Sequence, residues 1–283
     1  MRNPYVKTFL TLVIIATLAF TPDYYLLPGS FYLHKGGKLN VHLLEGDKIT
    51  SGEESGYNLA QTSVFNLYEG SKKADLSKIT KDNTSPVVNY NMLNKGLALV
   101  EMNTKELNDI PGEDFITYLT EQGYDDIAEP LKNSNRLKYT EKYTKFLKTL
   151  VTVDDPTGNL YEKVLNNELE ITLKQNPYKQ SYGGDITALV NFKGKPLPNA
   201  PMYLYIKTEA GNVYPQKLTT DALGKIYFNL SRDGIYMLRV ARIQPSTDKA
   251  ADYETWCATY TFAFTNSNDE PNTYKEFGFG DKH

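Results

Sequence analysis

Two histidines near the start of the chain, His34 and His42, are the residues whose chemistry is easiest to name. Imidazole nitrogens are ligands that borderline transition metals prefer. Residues 31–34 and 39–44 alternate between apolar and polar types around a glycine turn, which predicts a β-hairpin. A loop over residues 36–38 places both histidines on its polar face, diagonally about 7–8 Å apart. We therefore treat them as candidate metal ligands; the alternative is a solvated strand face.

The motifs on which most catalytic sites are built are missing from the sequence. It has no Gly-x-Ser-x-Gly elbow, no His-Glu-x-x-His, no phosphate-binding glycine loop and no cysteine cluster. Adjacent carboxylates at residues 125–126 and 154–155 point in different directions, which is typical of solvating groups and not of an acid and base pair. We predict a protein that is not an enzyme.

The single cysteine, Cys257, belongs to an alternating strand pattern over residues 253–264. Alternation places Trp256 on one face and Cys257 on the other, which we predict to be the less buried face. A nucleophilic role needs a neighbouring base, and the chain has only three histidines. Cys257 is therefore predicted to be a bystander, and the fold has no internal disulfide.

The first residues have the pattern of a secretory signal peptide. A start containing Arg2 and Lys7 is followed by an apolar run over residues 9–20, and Ala19 offers a cleavage position. The run is shorter than the roughly 20 residues that span a bilayer, so retention as an anchor is the weaker alternative. We predict a signal peptide at residues 1–19, no stable transmembrane span after cleavage, and a location in the periplasm or at the cell surface.

Charge limits the partners. The 31 basic and 34 acidic residues nearly cancel, which leaves a formal charge of −3. A chain without a basic surplus has no electrostatic footprint for a phosphate backbone. Nucleic acid is excluded as an expected partner.

We predict a mostly β fold with two β-sandwich-like domains. The first, residues 20–175, is β-rich and contains a helical insertion at residues 104–150, because apolar residues there recur at helical spacing. The clearest such stripe is Tyr139, Tyr143, Phe146 and Leu147.

The second predicted domain, residues 176–265, is an immunoglobulin-like or transthyretin-like sandwich. Short strand patterns recur there with turns every 8 to 12 residues. They cover residues 185–192, 202–208, 217–219, 225–230, 234–242 and 256–264. Residues 266–283 are polar and weakly patterned, which predicts a flexible tail.

Turn and strand motifs of the second domain resemble a known sandwich. Residues 194–201 (GKPLPNAP), 220–224 (TDALG), 227–230 (YFNL) and 234–236 (GIY) are similar to carboxypeptidase-regulatory-like and transthyretin-like domains. The resemblance implies a sandwich fold and specifies little about function.

A wider resemblance spans nearly the whole chain after the signal peptide. It rests on residues 23–28 (DYYLLP), 44–46 (LEG), 115–119 (FITYL), 143–147 (YTKFL), 176–177 (NP) and 252–262 (DYETWCATYTF). In this order they resemble the exported family called domain of unknown function 4198. The resemblance implies a role in nickel or cobalt uptake, with the metal ion as cargo and a membrane metal transporter or another envelope protein as partner.

At one position the chain departs from that family. Members commonly carry a histidine before the Asp-aromatic pair, whereas this chain has Pro22 before Asp23. The candidate metal ligands are therefore His42, His34 and Asp23. Our first hypothesis is an exported, non-catalytic accessory protein for metal uptake. The alternative is a cell-envelope module that binds protein or glycan, with no metal role.

Overall fold

The computed structural model describes residues 23–46, 48–49 and 52–266. The predicted signal peptide and nearly all of the predicted tail lie outside these residues. Within the described part of the chain, no helix is long and apolar enough to cross a membrane.

The described residues form seventeen strands and two α-helices. The strands of the first half are β1 (Asp23–Pro28), β2 (Tyr32–Leu33), β3 (Lys38–Gly46), β4 (Glu53–Ser55), β5 (Thr62–Glu69), β6 (Lys72–Asp75), β7 (Val88–Asn91), β8 (Gly96–Pro111) and β9 (Lys138–Val153). Between the last two lie α1 (Gly112–Glu121) and α2 (Asp125–Leu131). The remaining strands are β10 (Leu169–Leu173), β11 (Asp185–Phe192), β12 (Lys195–Pro196), β13 (Pro201–Lys207), β14 (Val213–Thr219), β15 (Lys225–Asn229), β16 (Gly234–Pro245) and β17 (Tyr253–Phe264).

A nine-stranded sheet forms the middle layer. Its order is β14-β13-β16-β17-β9-β8-β5-β6, and β2 pairs with the end of β9. Two pairs are parallel, β17 with β9 and β2 with β9, and the other pairs are antiparallel. The parallel pair β9–β17 therefore joins the two halves of the chain in one sheet.

A four-stranded sheet, in which β3 pairs with β1, β4 and β7, covers one face of the middle layer. Leu26 of β1 and Val41 of β3 share an apolar cluster with Leu147 and Val151 of β9. The hydroxyl of Thr261 in β17 donates to the backbone carbonyl of Leu26 at 2.6 Å. This hydrogen bond gives the edge strand β1 a polar tie to the sheet beneath it.

A second four-stranded sheet, in which β11 pairs with β10, β12 and β15, covers the opposite face. Its Ile171 and Ile186 share an apolar cluster with Leu150 of β9 and Leu238 of β16. Each such side chain, fully buried, contributes roughly 1.5–3 kcal/mol. The mostly β prediction with two sandwich-like packings is confirmed, and the two packings use the same middle sheet.

The helical insertion predicted at residues 104–150 is wrong over most of its length. Only α1 and α2 are helical, and Tyr139, Tyr143 and Leu147 lie in the strand β9. Residues four apart share a face in a strand as well as in a helix, so their spacing did not distinguish the two. Polar residues such as Lys145, Lys148 and Thr149 are buried among apolar ones on both faces of β9, which hides its period of two.

The predicted hairpin is also wrong, although its apolar residues Phe31, Val41 and Leu43 are buried. β2 pairs with β9 of the middle sheet, whereas β3 pairs with β1 of the covering sheet. The turn between them bonds to a third segment: Gly36 N donates to Met92 O at 2.8 Å, and Met92 N donates to Gly37 O at 2.9 Å. Gly36 has φ +85°, which favours glycine. The turn moves the chain from one layer to the next.

The strands predicted for the second domain are present, as β11 and β13 to β17. The sheet that holds four of them also contains β8 and β9, which precede the predicted boundary at residue 176. The domain boundary at residue 176 therefore stays a prediction.

One buried ion pair connects the middle sheet to the second covering sheet. Lys148 Nζ of β9 donates to Glu170 Oε1 of β10 at 2.6 Å and to Ile171 O at 3.1 Å. Glu170 also accepts from the backbone N–H of Leu165 and of Asn166. Both charged side chains are almost fully buried, at 3% and 2% exposure. Burial lowers the pKa of Lys148, and the charge of Glu170 opposes that shift.

Candidate functional site

His42 points from β3 toward a carboxylate of the neighbouring strand. Its Nδ1 is in hydrogen-bond contact with Oε1 of Glu54 in β4, and the hydroxyl of Ser85 donates to the same oxygen. The side chains of His42 and Glu54 are 15% and 33% exposed. Antiparallel pairing of β3 with β4 brings the two strands side by side, with Leu44 opposite Glu54. We call these three residues the His42 cluster.

The carboxyl of Glu54 is held in its charged form. Burial acts to raise its pKa, but the hydrogen bonds from Ser85 and His42 and the charge of His42 outweigh it. The pKa of Glu54 therefore lies below its ordinary value. The ionised carboxylate and the imidazole therefore place two potential metal ligands, an oxygen and a nitrogen, next to each other.

His34 has a similar contact in a different setting. Its Nδ1 lies 3.1 Å from Asp154 Oδ1, but its side chain is 72% exposed. The other oxygen of Asp154 lies 3.2 Å from Lys95 Nζ. A lysine on the same carboxylate repels a second cation, so this pair is the poorer place for a metal ion.

The three predicted ligands do not form one cluster. The partner of His34, Asp154, follows β9 of the middle sheet, whereas the partner of His42, Glu54, lies in the covering sheet. Asp23 begins β1 with its backbone opposite Gly46, and its side chain is outside the described residues. Among residues 23–46, 48–49 and 52–266, no group of three or more His, Cys, Asp or Glu is arranged to hold a metal ion.

Sequence reasoning missed Glu54 and Ser85. Glu54 lies in a three-residue strand within a polar stretch, and Ser85 follows 31 residues later in a loop. Neither residue stands at a spacing from His42 that indicates a ligand set. Only the pairing of β3 with β4 and the course of the loop bring them together.

A second polar cluster lies between β1 and the middle sheet. Lys145 Nζ of β9 is 2.7 Å from Glu106 Oε1 and 3.3 Å from the centre of the Tyr24 ring. Burial lowers the pKa of Lys145, and Glu106 opposes that shift. Cys257 is on this face and is 1% exposed, so the prediction of a less buried face is wrong. Cys257 is buried because strand β1 covers this face of β17: the hydroxyl of Thr259, two residues along, donates to the backbone carbonyl of Tyr24 in β1.

Glu141 is the most unusual member of that region. It is fully buried, and its Oε1 accepts from the hydroxyl of Thr255. Its Oε2 has no hydrogen-bond partner among the described residues. Burial, and then the charge of Glu106, raise its pKa to about 7, although Thr255 and Lys145 oppose the shift.

Stability should therefore depend on the protonation of Glu141. The unfolded chain releases this proton near the ordinary pKa of 4.5, whereas the folded chain keeps it to about pH 7. Raising the pH through that window favours unfolding, by up to about 1.4 kcal/mol per pH unit. Glu141→Gln is expected to reduce this loss of stability, measured by urea unfolding between about pH 5 and pH 8. Equal slopes in the wild type, in Glu141→Gln and in the exposed control Glu113→Gln would contradict this expectation.

Fold and cluster together define a layered, mostly β protein with an imidazole–carboxylate pair on an outer sheet. The family model described as "Domain of unknown function (DUF4198)" matches residues 20–244. The chain therefore belongs to that family, as the sequence resemblance predicted.

Other comparisons are distant. The chain is 10% identical to a solved structure described as the tetra-tandem repeat in the extending region of a large adhesion protein, with 87% of this chain and 50% of that chain covered and a TM-score of 0.23. It thus spans half of that structure's length. It is 12% identical to the D0-D1 domain of Intimin, with 86% and 98% covered and a TM-score of 0.22. No curated protein matches the chain.

Proposed function

We propose that this protein is an exported, non-catalytic accessory protein that captures a divalent transition metal, nickel or cobalt, and hands it to a membrane transporter. The observation that carries the proposal is the contact between His42 Nδ1 and Glu54 Oε1. The signal-peptide pattern of residues 1–19 supports export to the periplasm or the cell surface.

The His42 cluster has the chemistry that such cargo needs. Imidazole suits nickel, cobalt and zinc, and a charged carboxylate adds an anionic oxygen. A divalent ion between the two groups would replace the hydrogen bond that joins them. Two protein ligands leave coordination positions open, which suits a metal that must be released again.

His42→Ala is expected to weaken nickel binding by about 10- to 100-fold, and Glu54→Gln is expected to weaken it by about tenfold. The measurement is calorimetric titration of the untagged chain with nickel, cobalt and zinc at neutral pH. His34→Ala is the matched control, because it removes the other imidazole that contacts a carboxylate, and it should leave the affinity unchanged.

Two results would contradict the proposal. If none of the three metals binds, the cell-envelope module that binds protein or glycan becomes the better hypothesis. Equal affinities in the wild type and His42→Ala, with an unchanged circular dichroism spectrum, would place the metal elsewhere.

A further inference from the structure

A cavity of about 410 Å³ lies beside the His42 cluster, lined by residues 76, 79–81 and 84–89. Cavities that bind small molecules measure about 300–1,000 Å³, so this one is large enough for a small organic ligand. The loop that borders it is held by side-chain hydrogen bonds: Thr80 donates to Val87 O and Thr84 donates to Lys81 O. The lining is therefore largely built before a ligand enters.

Its lining is divided equally between five apolar residues and five polar ones, one of which is basic. Leu76, Val87 and Val88 are almost fully buried, whereas Ile79 is 59% exposed. Lys81 is the charged residue of the lining. An ammonium group beside apolar walls complements a small organic molecule that carries carboxylates.

Ser85 belongs to both the cavity and the His42 cluster. It lines the cavity, and its hydroxyl donates to the oxygen of Glu54 that contacts His42. A ligand in the cavity therefore lies one side chain away from the imidazole–carboxylate pair.

Coordination chemistry connects the two places. Divalent transition metals bind four to six ligands, and His42 with Glu54 supplies an incomplete set. We propose that the cavity binds a small polycarboxylate, so that the metal is captured as its chelate: Glu54 and His42 hold the metal, and Lys81 binds a free carboxylate. This inference rests on the proposed function, and it names the form in which the cargo arrives.

Equilibrium dialysis of the untagged chain against radiolabelled citrate, with and without nickel, tests the proposal. Citrate should be retained together with nickel in equal amounts, and its retention should fall by at least about tenfold when nickel is omitted. His42→Ala should lower the retention of both by about 10- to 100-fold.

Variants of the cavity lining distinguish the contribution of the cavity to citrate binding from that of the metal ligands. Lys81→Gln should lower citrate retention by about tenfold, the effect of losing one charge-assisted contact, with no change in the affinity for free nickel. Ile79→Trp should do the same by filling the cavity from its exposed side. Lys78→Gln is the matched control, since Lys78 is 78% exposed and is not part of the lining.

The outcomes distinguish this inference from the proposed function. Binding of free nickel without retention of citrate would overturn the chelate and leave metal capture standing. Citrate retention that is independent of nickel and of His42 would overturn it too. Failure to bind nickel in any form would overturn both proposals.

Discussion

Glu170→Ala is expected to lower the free energy of unfolding by about 3–5 kcal/mol, because it leaves the ammonium of Lys148 buried without its counter-charge. Within the part of the chain that the structure describes, Lys148 then keeps the carbonyl of Ile171, at 3.1 Å, as its hydrogen-bond acceptor. The substitution also removes the acceptor for the backbone N–H of Leu165 and of Asn166. A typical domain has a total stability of about 5–15 kcal/mol, so the expected loss is a large fraction.

Chemical denaturation followed by circular dichroism measures this loss. Lys78→Ala is the matched control: it breaks an ion pair with Asp75, but both side chains are exposed, so little change is expected. Lys148→Met with Glu170→Ala tests the mechanism, since removing the buried charge should recover part of the stability. A Glu170→Ala variant as stable as Lys78→Ala would show that the buried pair contributes nothing.

A fragment of residues 176–266 is expected to remain unfolded on its own. A third of the buried residues in the apolar cluster of the second packing precede residue 176, among them Leu99, Phe146 and Leu150. The fragment also lacks β9, the parallel partner of β17. Losing several buried side chains at roughly 1.5–3 kcal/mol each exceeds the stability of a small domain.

Amide dispersion in the NMR spectrum of the fragment, compared with the full chain, checks this expectation. A second comparison uses the full chain, in which Leu150→Ala and Val151→Ala alter opposite faces of β9. Both should lower the midpoint of one cooperative transition. A dispersed spectrum for the fragment, or two separate transitions in the full chain, would establish the boundary at residue 176 as a real domain boundary.

The sequence predicted best where local signals define each strand. β11 and β13 to β17 alternate in polarity or end at glycine and proline turns, such as Gly224 with φ +72°. Those signals are short-range, so one sequence is enough to read them. The same signals could not show that β17 pairs with β9, because that partner is about 110 residues away in the chain.

The central strand β9 and the polar clusters were not predicted because both depend on which distant segments pack together. Covering layers bury both faces of β9 over residues 143–153, and polar residues such as Lys145 and Thr149 are buried there among apolar ones, so no polar face marks the strand. The pairing of His42 with Glu54, and of Lys148 with Glu170, depends on which strands meet, and residue spacing does not encode it. The sequence was enough to predict His42 as a candidate ligand, whereas its carboxylate partner Glu54 could be identified only from the structure.

The parallel pairing of β9 with β17 also bears on how fast the chain can fold. The antiparallel pair β8–β9 is joined by residues 112–137, and the pair β16–β17 by residues 246–252, so each ribbon closes a much shorter loop and can form earlier. Joining the ribbons brings Glu141 beside Tyr253, which requires closing a loop of more than 100 residues. Contacts of such high sequence separation slow folding, and the sheet's central seam should be the last element to close. Until then, apolar faces of both ribbons remain in contact with solvent, and the newly made chain depends on prompt closure to avoid aggregation.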